Sequence, residues 1–550
     1  MGEADNARIA EIFASHFKSV YTSPSDVLSN DIFSGVCAPS GGKAADVVNK
    51  EERVFSASGA SLRNFEPSLL HAELIDKCIK AMKLGKASGP DDLTVEHILY
   101  AHSILIAHLC CLFKAIINHS YVPADFGLGI IVPLIKDKSG DIENVGNYRG
   151  ITLIPVISKL FEGVLLSQCE DCLTNDDLQF GFRKGVGCQQ ALFALKATVD
   201  YFISRGSSVY AAALDISKAF DTVEHSKLIN ALAAAGVPSW ITNVINNWYS
   251  KLFVVVRWCG SISHQFKIVC GVRQGSMLSP SFFNTFINVL IVALKLNDYG
   301  CHVNKCYIGC IFYADDIILI SASIMGLQAM LDICDSTISN LKLKFNSSKC
   351  YCICFGTRHG KVVAPMKLGS DVILWVNSIK YLGVTVRSGV KMTVDLDVVK
   401  RKFYAACNSI LSNSIFQSEL LRLHLLESYC LPILTYCIAV WDLTKKQISC
   451  LNVCWNMMFR KLFGFHKWES VRCCINGLGR LDFEHIYVWL RSKFLKGNLI
   501  CENSVINNLM CTYRLSKAVA KFCFNHCINF DVPFYALKQQ VHAMFQSTCI

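Results

Sequence analysis

The sequence predicts an α+β chain: an antiparallel sheet backed by helices over residues 67–385, followed by a mostly helical region. Three observations carry this expectation. Apolar runs of strand length, such as SSVYAAALDIS (207–217) and the two halves of IGCIFYADDIILIS (308–321), are bounded by turn residues. Between them lie segments with apolar residues at helical spacing, without the regular strand–helix alternation of a parallel sheet. From about Ser388 onward the pattern is mostly helical.

Taken in order, residues 5–21 predict a short amphipathic helix with Ile9, Ile12, Phe13 and Phe17 on one side. Residues 22–61 are rich in Ser, Gly, Ala and Asp, have no sustained period and read as a mobile linker. Leu74, Ile75, Cys78, Ile79 and Met82 form a helical stripe that ends at Gly85, and a second helical region runs from about Leu93 to His119. IIVPLIK (130–136) reads as a strand in which Pro133, lacking an N–H, implies an edge or a bend. After the strand at 207–217, a helix-like segment from Lys218 to Ala235 is stopped by GVP. VVVRW (254–258) and FKIVC (266–270) pattern as a hairpin, and GVRQGSMLSP leads into a long apolar helix. Beyond the Asp-Asp hairpin, Leu327, Met330, Leu331, Cys334, Ile338 and Leu341 share one helical face.

A chain of 550 residues is too long for one ordinary core, and 52% hydrophobic against 18% charged residues excludes a disordered chain. The net charge of +11 permits a polyanionic partner without requiring one. No apolar run reaches the roughly 18 residues that span a bilayer; the closest, 286–296, is interrupted by Asn288 and Lys295. The start, MGEADNARIAEIF, carries early acids and no apolar signal core, and Gly2 lacks the Ser or Thr at position 6 that myristoylation uses. No membrane partner is therefore expected. The 28 cysteines read as reduced thiols used as small apolar fillers. Cys523, His526 and Cys527 lie close together, but no second ligand pair sits at zinc-finger spacing, so buried thiols are preferred over a zinc site.

Asp315 and Asp316 stand between two apolar strands, where a pair of acids is also what a solvated hairpin turn looks like. A third carboxylate changes the reading. Asp215 ends the strand AAALD, with Asp221 following in DISKAFD. If the two strands are neighbours, Asp215 and Asp315 face each other at one end of a sheet. Carboxylates placed so can bridge two Mg²⁺ ions roughly 4 Å apart, the arrangement that clamps attacking and leaving oxygens in phosphoryl transfer.

At this point the chain resembles a reverse transcriptase of the non-LTR (LINE-type) retrotransposon family. The resemblance spans about residues 67–385 and is carried by pieces in the family's order. These are KASGPDD (86–92), IIVPLIKDKSGDIENVGNYRGITLIPVISKLFE (130–162), QFGFRKGVGCQQA (179–191) and LDISKAFDTVEH (214–225), then GVRQGSMLSPSFFN (271–284), FYADD (312–316), LKFNSSKC (343–350) and KYLGV (380–384). The resemblance implies a right-hand polymerase: an N-terminal helix and linker over 1–66, fingers and palm over 67–385, and a helical thumb with a C-terminal extension over 386–550. It implies that Asp215, Asp315 and Asp316, with the main-chain carbonyl of Ile216, hold two Mg²⁺ ions, Mn²⁺ being able to replace them. Phe220 is the ring that leaves no room for a 2′-hydroxyl. Gln274 and Gly275 shape the nucleotide pocket, Arg149 grips the triphosphate by its planar, always charged fork, and Lys136 is a second cation there. Lys349 protonates the leaving pyrophosphate, and Tyr381, Leu382 and Gly383 form the primer grip. Lys400, Arg401, Lys402, Arg460 and Lys461 are placed to track phosphates.

The implied activity is RNA-directed DNA polymerisation, with an RNA template, a DNA primer and dNTPs as partners; the oligomeric state is left open. The site of action is expected inside the cell, and in the nucleus if chromosomal DNA is the target. Gly150 stands where the family often has proline, which loosens a fingers strand. Neither an endonuclease constellation before the fingers nor an RNase H-like carboxylate set after the thumb is found in the sequence, so the source of target nicks is open. The contrasting reading is a decayed retroelement copy that binds nucleic acid without polymerising; a maturase- or telomerase-like specialist is a third.

Overall fold

The computed structural model describes residues 5–22, 70–138, 140–173, 175–361, 364–512 and 520–547. All but the first residue of the expected linker lies outside them. The chain is α+β, as the patterns predict. Its contacts define two compact units of interleaved segments: 1–176, 216–290 and 336–344 in the first, 177–215, 291–335 and 345–550 in the second.

In the first unit a helix Asn6–Val20 is capped by Asp5, whose side chain accepts from the Ala7 N–H. It buries Phe13, Phe17 and Val20, while Ile12, expected on that face, is half exposed because it lies a turn's third away from the Phe13–Phe17 stripe. Phe13 packs edge-on against Tyr148 and beside Trp258. The sheet beneath runs Tyr148–Leu153, Leu128–Ile135, Phe253–Trp258 and Ser261–Ile262, with Phe266–Lys267 also paired to Phe253–Trp258. That last pairing is the hairpin expected from VVVRW and FK. Leu128–Ile135 pairs in parallel with Phe253–Trp258 only as far as Ile131. Pro133 therefore lies where that second edge is free, the position a residue without an N–H tolerates. Gly150 has a positive reason to be small: a Cβ there would sit 2.9 Å from the Phe17 ring. The expected single helix at 93–119 is two, Val95–Leu99 and Ile104–His119. The expected helix from Lys218 begins only at His225. Lys218 is left-handed at φ 47°, and its carbonyl accepts from the N–H groups of Asp221 and Thr222 in a turn instead.

In the second unit the sheet order is Met366–Leu368, Asp371–Trp375, Tyr351–Phe355, Val209–Asp215, Asp316–Ser321, Cys310–Tyr313. The three central pairings are antiparallel, but Tyr351–Phe355 and Asp371–Trp375 run parallel. Val209–Asp215 and Asp316–Ser321 are buried over most of their length, which is why both read as unbroken apolar runs and not as alternating ones. Ser378–Tyr381 and Val384–Arg387 form a separate hairpin. The helical remainder has its own core around Phe403, Leu426, Trp455, Phe459, Val488 and Leu537.

Against the expectation, two helical stretches are long and apolar enough to cross a membrane, Ser279–Leu296 and Glu419–Val440. Both bury about half of their surface inside the fold, and their apolar content is core packing: Phe282, Phe283, Phe286, Leu290 and Leu294 are sealed from solvent in the first. The cysteines described are all free thiols, half of them buried. Among the described residues no three His, Cys, Asp or Glu side chains form a metal-holding group, the C-terminal Cys523, His526 and Cys527 included.

Candidate active site

The carboxylates meet at one end of the second unit's sheet. The strand register sets Asp316 directly across from Asp215, and Ile317 across from Leu214. Opposite residues of an antiparallel pair have Cα atoms about 4.5–5.5 Å apart and project their side chains to the same face. Asp315, expected to face Asp215, instead occupies the two-residue turn that joins Tyr313 to Asp316. Asp215 is half-buried and Asp316 exposed, so neither carries the desolvation penalty of a sealed carboxylate. A cleft of about 470 Å³ opens here, lined by Asp215, Asp316, Lys349, Tyr351 and Tyr381.

The turn itself is built from a distant segment. Ala314 takes φ 56°, a conformation that costs a non-glycine residue about 1–2 kcal/mol. Gln179, fully buried, holds it: its side-chain oxygen accepts from the N–H of Ala314 (2.9 Å) and from that of Gly181 (2.9 Å). Leu178 and Phe180 exchange backbone hydrogen bonds with Phe312 on either side. Gly181 must be glycine, because a Cβ would lie 2.4 Å from the Ala314 nitrogen. The role of QFG was not readable from the sequence, since 135 residues separate Gln179 from Ala314.

Lys349 is brought beside Asp215. The N–H of Asn346 donates to the carbonyl of Asp215 (2.8 Å), and the short 3₁₀ turn Ser347–Lys349 brings the Lys349 Nζ to 3.7 Å from Asp215 Oδ2. Both groups keep solvent contact. In the 381–384 turn Leu382 (φ 47°) and Gly383 (φ 80°) are both left-handed, which makes it a type I′ hairpin. The hydroxyl of Tyr436 donates to the Leu382 carbonyl (3.0 Å), and its ring lies 3.2 Å from where a Gly383 Cβ would be. The Tyr381 hydroxyl is buried without a hydrogen-bond partner among the described residues. Burial first, and the charge of Asp316 second, push its pKa well above the ordinary tyrosine value.

The first unit carries the other motif residues. Gly275 has φ 123°, and a Cβ would meet the Thr152 carbonyl oxygen at 2.7 Å. The Thr152 N–H donates to the Gln274 carbonyl (2.9 Å), which ties the RQG loop to the strand that presents Arg149. Arg149 is exposed and forms no ion pair among the described residues. Lys136 Nζ donates to the Gly146 carbonyl (3.0 Å). Phe220 is half-buried and stacked on Phe283, with ring centroids 4.4 Å apart. Ile216 is buried. Arg273 is a structural member of its motif: it pairs with Glu162 (2.9 Å) in the interior, and the second Glu162 oxygen accepts from the Met277 N–H (2.6 Å). Gln274 donates through Nε2 to Asp221 (2.7 Å), which also accepts from the Tyr21 hydroxyl (3.3 Å). Burial raises the Asp221 pKa, while those two bonds and the charges of Lys136 and Lys218 oppose the rise.

The basic residues expected to track phosphates divide. Lys400 bonds Asp397 (2.7 Å), Arg460 the carbonyl of Glu469 (2.9 Å) and Lys461 Asn408 (2.9 Å), whereas Arg401 and Lys402 are exposed.

The donor chemistry suits a hard dication. Mg²⁺ takes oxygen ligands and is commonly bound through one or two carboxylates plus substrate phosphates and water, not by an all-protein cage. A paired Asp215 and Asp316 fits that pattern, and among the described residues no three His, Cys, Asp or Glu side chains close into an all-protein cage.

Comparison with known proteins agrees with this reading of the motifs. Residues 135–386 match the family model described as reverse transcriptase (RNA-dependent DNA polymerase). The Pol polyprotein of the type-2 retrotransposable element R2DM of Drosophila melanogaster is 26% identical over 50% of this chain and 25% of its own length. The probable RNA-directed DNA polymerase from transposon BS of the same species is 26% identical over 68% of this chain and 42% of its own. The RNA-directed DNA polymerase from the mobile element jockey, also of that species, is 26% identical over 58% and 35%. The chain thus spans between a quarter and two-fifths of the length of these relatives. A solved apo telomerase from Candida Tropicalis, truncated from its C-terminal domain, overlays 72% of this chain and 92% of its own with TM-score 0.36 and 12% identity, too loose a likeness to locate any residue.

Proposed function

We propose that this chain, whose residues 135–386 match the reverse transcriptase family model, is the RNA-directed DNA polymerase of a non-LTR retrotransposon. It adds dNTPs to a primer 3′-hydroxyl on an RNA template. The observation that carries the proposal is the Asp215–Asp316 pair at the open end of an antiparallel sheet, with Asp315 one residue away and Lys349 3.7 Å from Asp215. Asp215, Asp315 and Asp316, with the Ile216 carbonyl, would hold two Mg²⁺ ions, which would supply a lowered pKa for the attacking hydroxyl and positive charge against the pyrophosphate.

The chain's own groups do the rest. The primer hydroxyl attacks the α-phosphate of the dNTP, and the bond to pyrophosphate breaks. Lys349, held 3.7 Å from Asp215, delivers a proton to the departing pyrophosphate. Arg149 and Lys136 bind the triphosphate. Gln274 and Gly275 line the nucleotide pocket. Phe220, backed by Phe283, is a rigid ring that excludes a 2′-hydroxyl. The 381–383 turn holds the primer end. The helical part after residue 386 acts as a thumb, with the exposed Arg401 and Lys402 among its cations toward phosphate.

The test is incorporation of dTTP on poly(rA)/oligo(dT) with Mg²⁺. Activity is expected to vanish with a chelator and in Asp215→Asn and Asp315→Asn, while template-primer binding persists. Folded wild-type protein that binds template-primer yet incorporates nothing under Mg²⁺ or Mn²⁺ identifies a decayed copy and overturns the proposal.

A further inference from the structure

We propose that Asp221 and Tyr21 are positioning residues that fix the orientation of the Gln274 side chain, so that the N-terminal helix ends in a contact that sets nucleotide affinity. This rests on the reading of Gln274 as a nucleotide-pocket residue and adds to it two residues to which the motif assigns no role. Tyr21 and Asp221 stand 200 residues apart in the chain.

The argument is one of hydrogen-bond polarity. An ionised carboxylate only accepts, whereas a glutamine amide has a donor end and an acceptor end that are similar in shape. Gln274 Nε2 lies 2.7 Å from Asp221 Oδ1. A flipped amide would set oxygen against oxygen at that distance, so the carboxylate permits one orientation and leaves the Gln274 carbonyl oxygen directed away from Asp221. With a neutral or absent partner at 221 the amide is no longer held in one orientation and can turn its wrong end to a ligand. The Tyr21 hydroxyl donates to the same Oδ1 from 3.3 Å and so helps fix the carboxylate.

Both partners are fixed in the main chain. The carbonyl of Tyr21 accepts from the N–H groups of Val269 and Cys270 (3.2 Å each), and Tyr21 itself is 2% exposed. The segment that carries Asp221 is zippered to the loop that leads to Gln274: Val272 N–H donates to the Phe220 carbonyl (2.7 Å) and Gly271 N–H to that of Val223 (2.7 Å). With the Gln274 main chain already tied to Thr152, the side-chain amide is the one degree of freedom left, and Asp221 removes it. The arrangement accounts for an acid six residues beyond Asp215, in a motif, DISKAFD, whose other acid serves the carboxylate site.

The test uses the full chain with dTTP titrated on poly(rA)/oligo(dT), in Tyr21→Phe, Asp221→Asn, Asp221→Ala, Gln274→Ala and the Tyr21→Phe/Asp221→Ala double variant. A hydrogen bond to a charged group predicts a KM for dTTP raised about tenfold in Asp221→Ala and about threefold in Tyr21→Phe, with kcat within about twofold. Asp221→Asn, a neutral partner that accepts only when its own amide is turned the right way, recovers part of the affinity, and the double variant is no worse than Asp221→Ala. Tyr21→Phe retains the buried ring and removes only the hydroxyl, so it separates orientation from folding. A raised KM in Gln274→Ala with unchanged KM in Asp221→Ala and Tyr21→Phe overturns the relay and leaves the pocket reading standing. An unchanged KM in Gln274→Ala itself overturns the pocket reading, and the relay with it.

Discussion

The turn between Tyr313 and Asp316 and the turn between Tyr381 and Val384 are both two-residue hairpin loops of the second unit. In both, the first loop residue is a non-glycine at positive φ: Ala314 at 56° and Leu382 at 47°. Such strain persists only where neighbours over-determine it, and the neighbours differ. Ala314 is clamped by a fully buried glutamine that also ties down Gly181, inside a run of backbone bonds to Phe312. Leu382 is held by one hydroxyl bond from Tyr436, a residue half exposed to solvent. The turn proposed to carry metal is thus fixed from the core, and the turn proposed to hold a primer end is fixed from the surface. Carboxylates that share ions tolerate displacements of only a few tenths of an ångström, whereas a surface that passes successive nucleotides gains from some give.

The sharpest way to break this contrast is at Gly181. A methyl group there has no flexible side chain to push aside, since it meets backbone nitrogen at 2.4 Å. Gly181→Ala is expected to lower kcat at least 100-fold, the scale of a misplaced reacting group, while template-primer affinity changes little. A kcat within threefold of wild type in steady-state incorporation shows that the turn is not held from the core. Next in size is Gln179→Leu, which keeps the volume and leaves the Ala314 N–H buried without a partner. An unsatisfied buried donor costs about 1–3 kcal/mol, so the thermal midpoint falls and kcat drops about tenfold. Loss of stability with unchanged kcat makes Gln179 a packing residue only.

The contrast also explains what the sequence could and could not disclose. Asp215, the Asp-Asp pair, Lys349 and Gly275 stand in short motifs whose chemistry is local, so each was readable in place. Which aspartate faces Asp215 was not, because that depends on the turn. A two-residue loop closed by Tyr313 and Asp316 puts Asp315 in the loop, and nothing in the string ADD selects that closure over one a residue shorter or longer. The late start of the helix at His225 followed from a single left-handed residue, Lys218, in a stretch whose composition favours helix. The parallel pairing of Tyr351–Phe355 with Asp371–Trp375 is a tertiary choice that apolar periodicity does not encode. Gln179, Tyr436 and Tyr21 escaped for one shared reason: each acts through a hydrogen bond to a partner at least 54 residues away.

At the surface-held turn the effects are smaller and of another kind. Tyr436→Phe removes the bond to the Leu382 carbonyl but keeps the ring against Gly383. A net hydrogen bond at an exposed site is worth about 0.5–1.5 kcal/mol, so KM for the oligo(dT) primer is expected to rise threefold to tenfold by the usual conversion, about tenfold per 1.4 kcal/mol, with KM for dTTP unchanged. A rise in both constants together places Tyr436 with the nucleotide pocket and ends its assignment to the primer side.

Leu382→Gly gives the smallest effect and the finest distinction. Glycine relieves the left-handed strain of about 1–2 kcal/mol and loses about 0.5–1 kcal/mol through a freer unfolded chain. Leu382 is itself mostly buried, and its lost contacts act in the same direction as that entropy term. The strain relief offsets the entropy term but not the loss of a buried leucine side chain, about 2–5 kcal/mol, so the thermal midpoint should fall, and the small effect is on catalysis. If the turn is a compliant surface, primer dissociation speeds up severalfold while kcat is kept, because a glycine pair at 382–383 widens the range of turn geometries without displacing the carboxylates. If kcat falls as it does in Gly181→Ala, the primer turn is held as tightly as the metal turn, and the exposure of Tyr436 has no bearing on how the two sites differ.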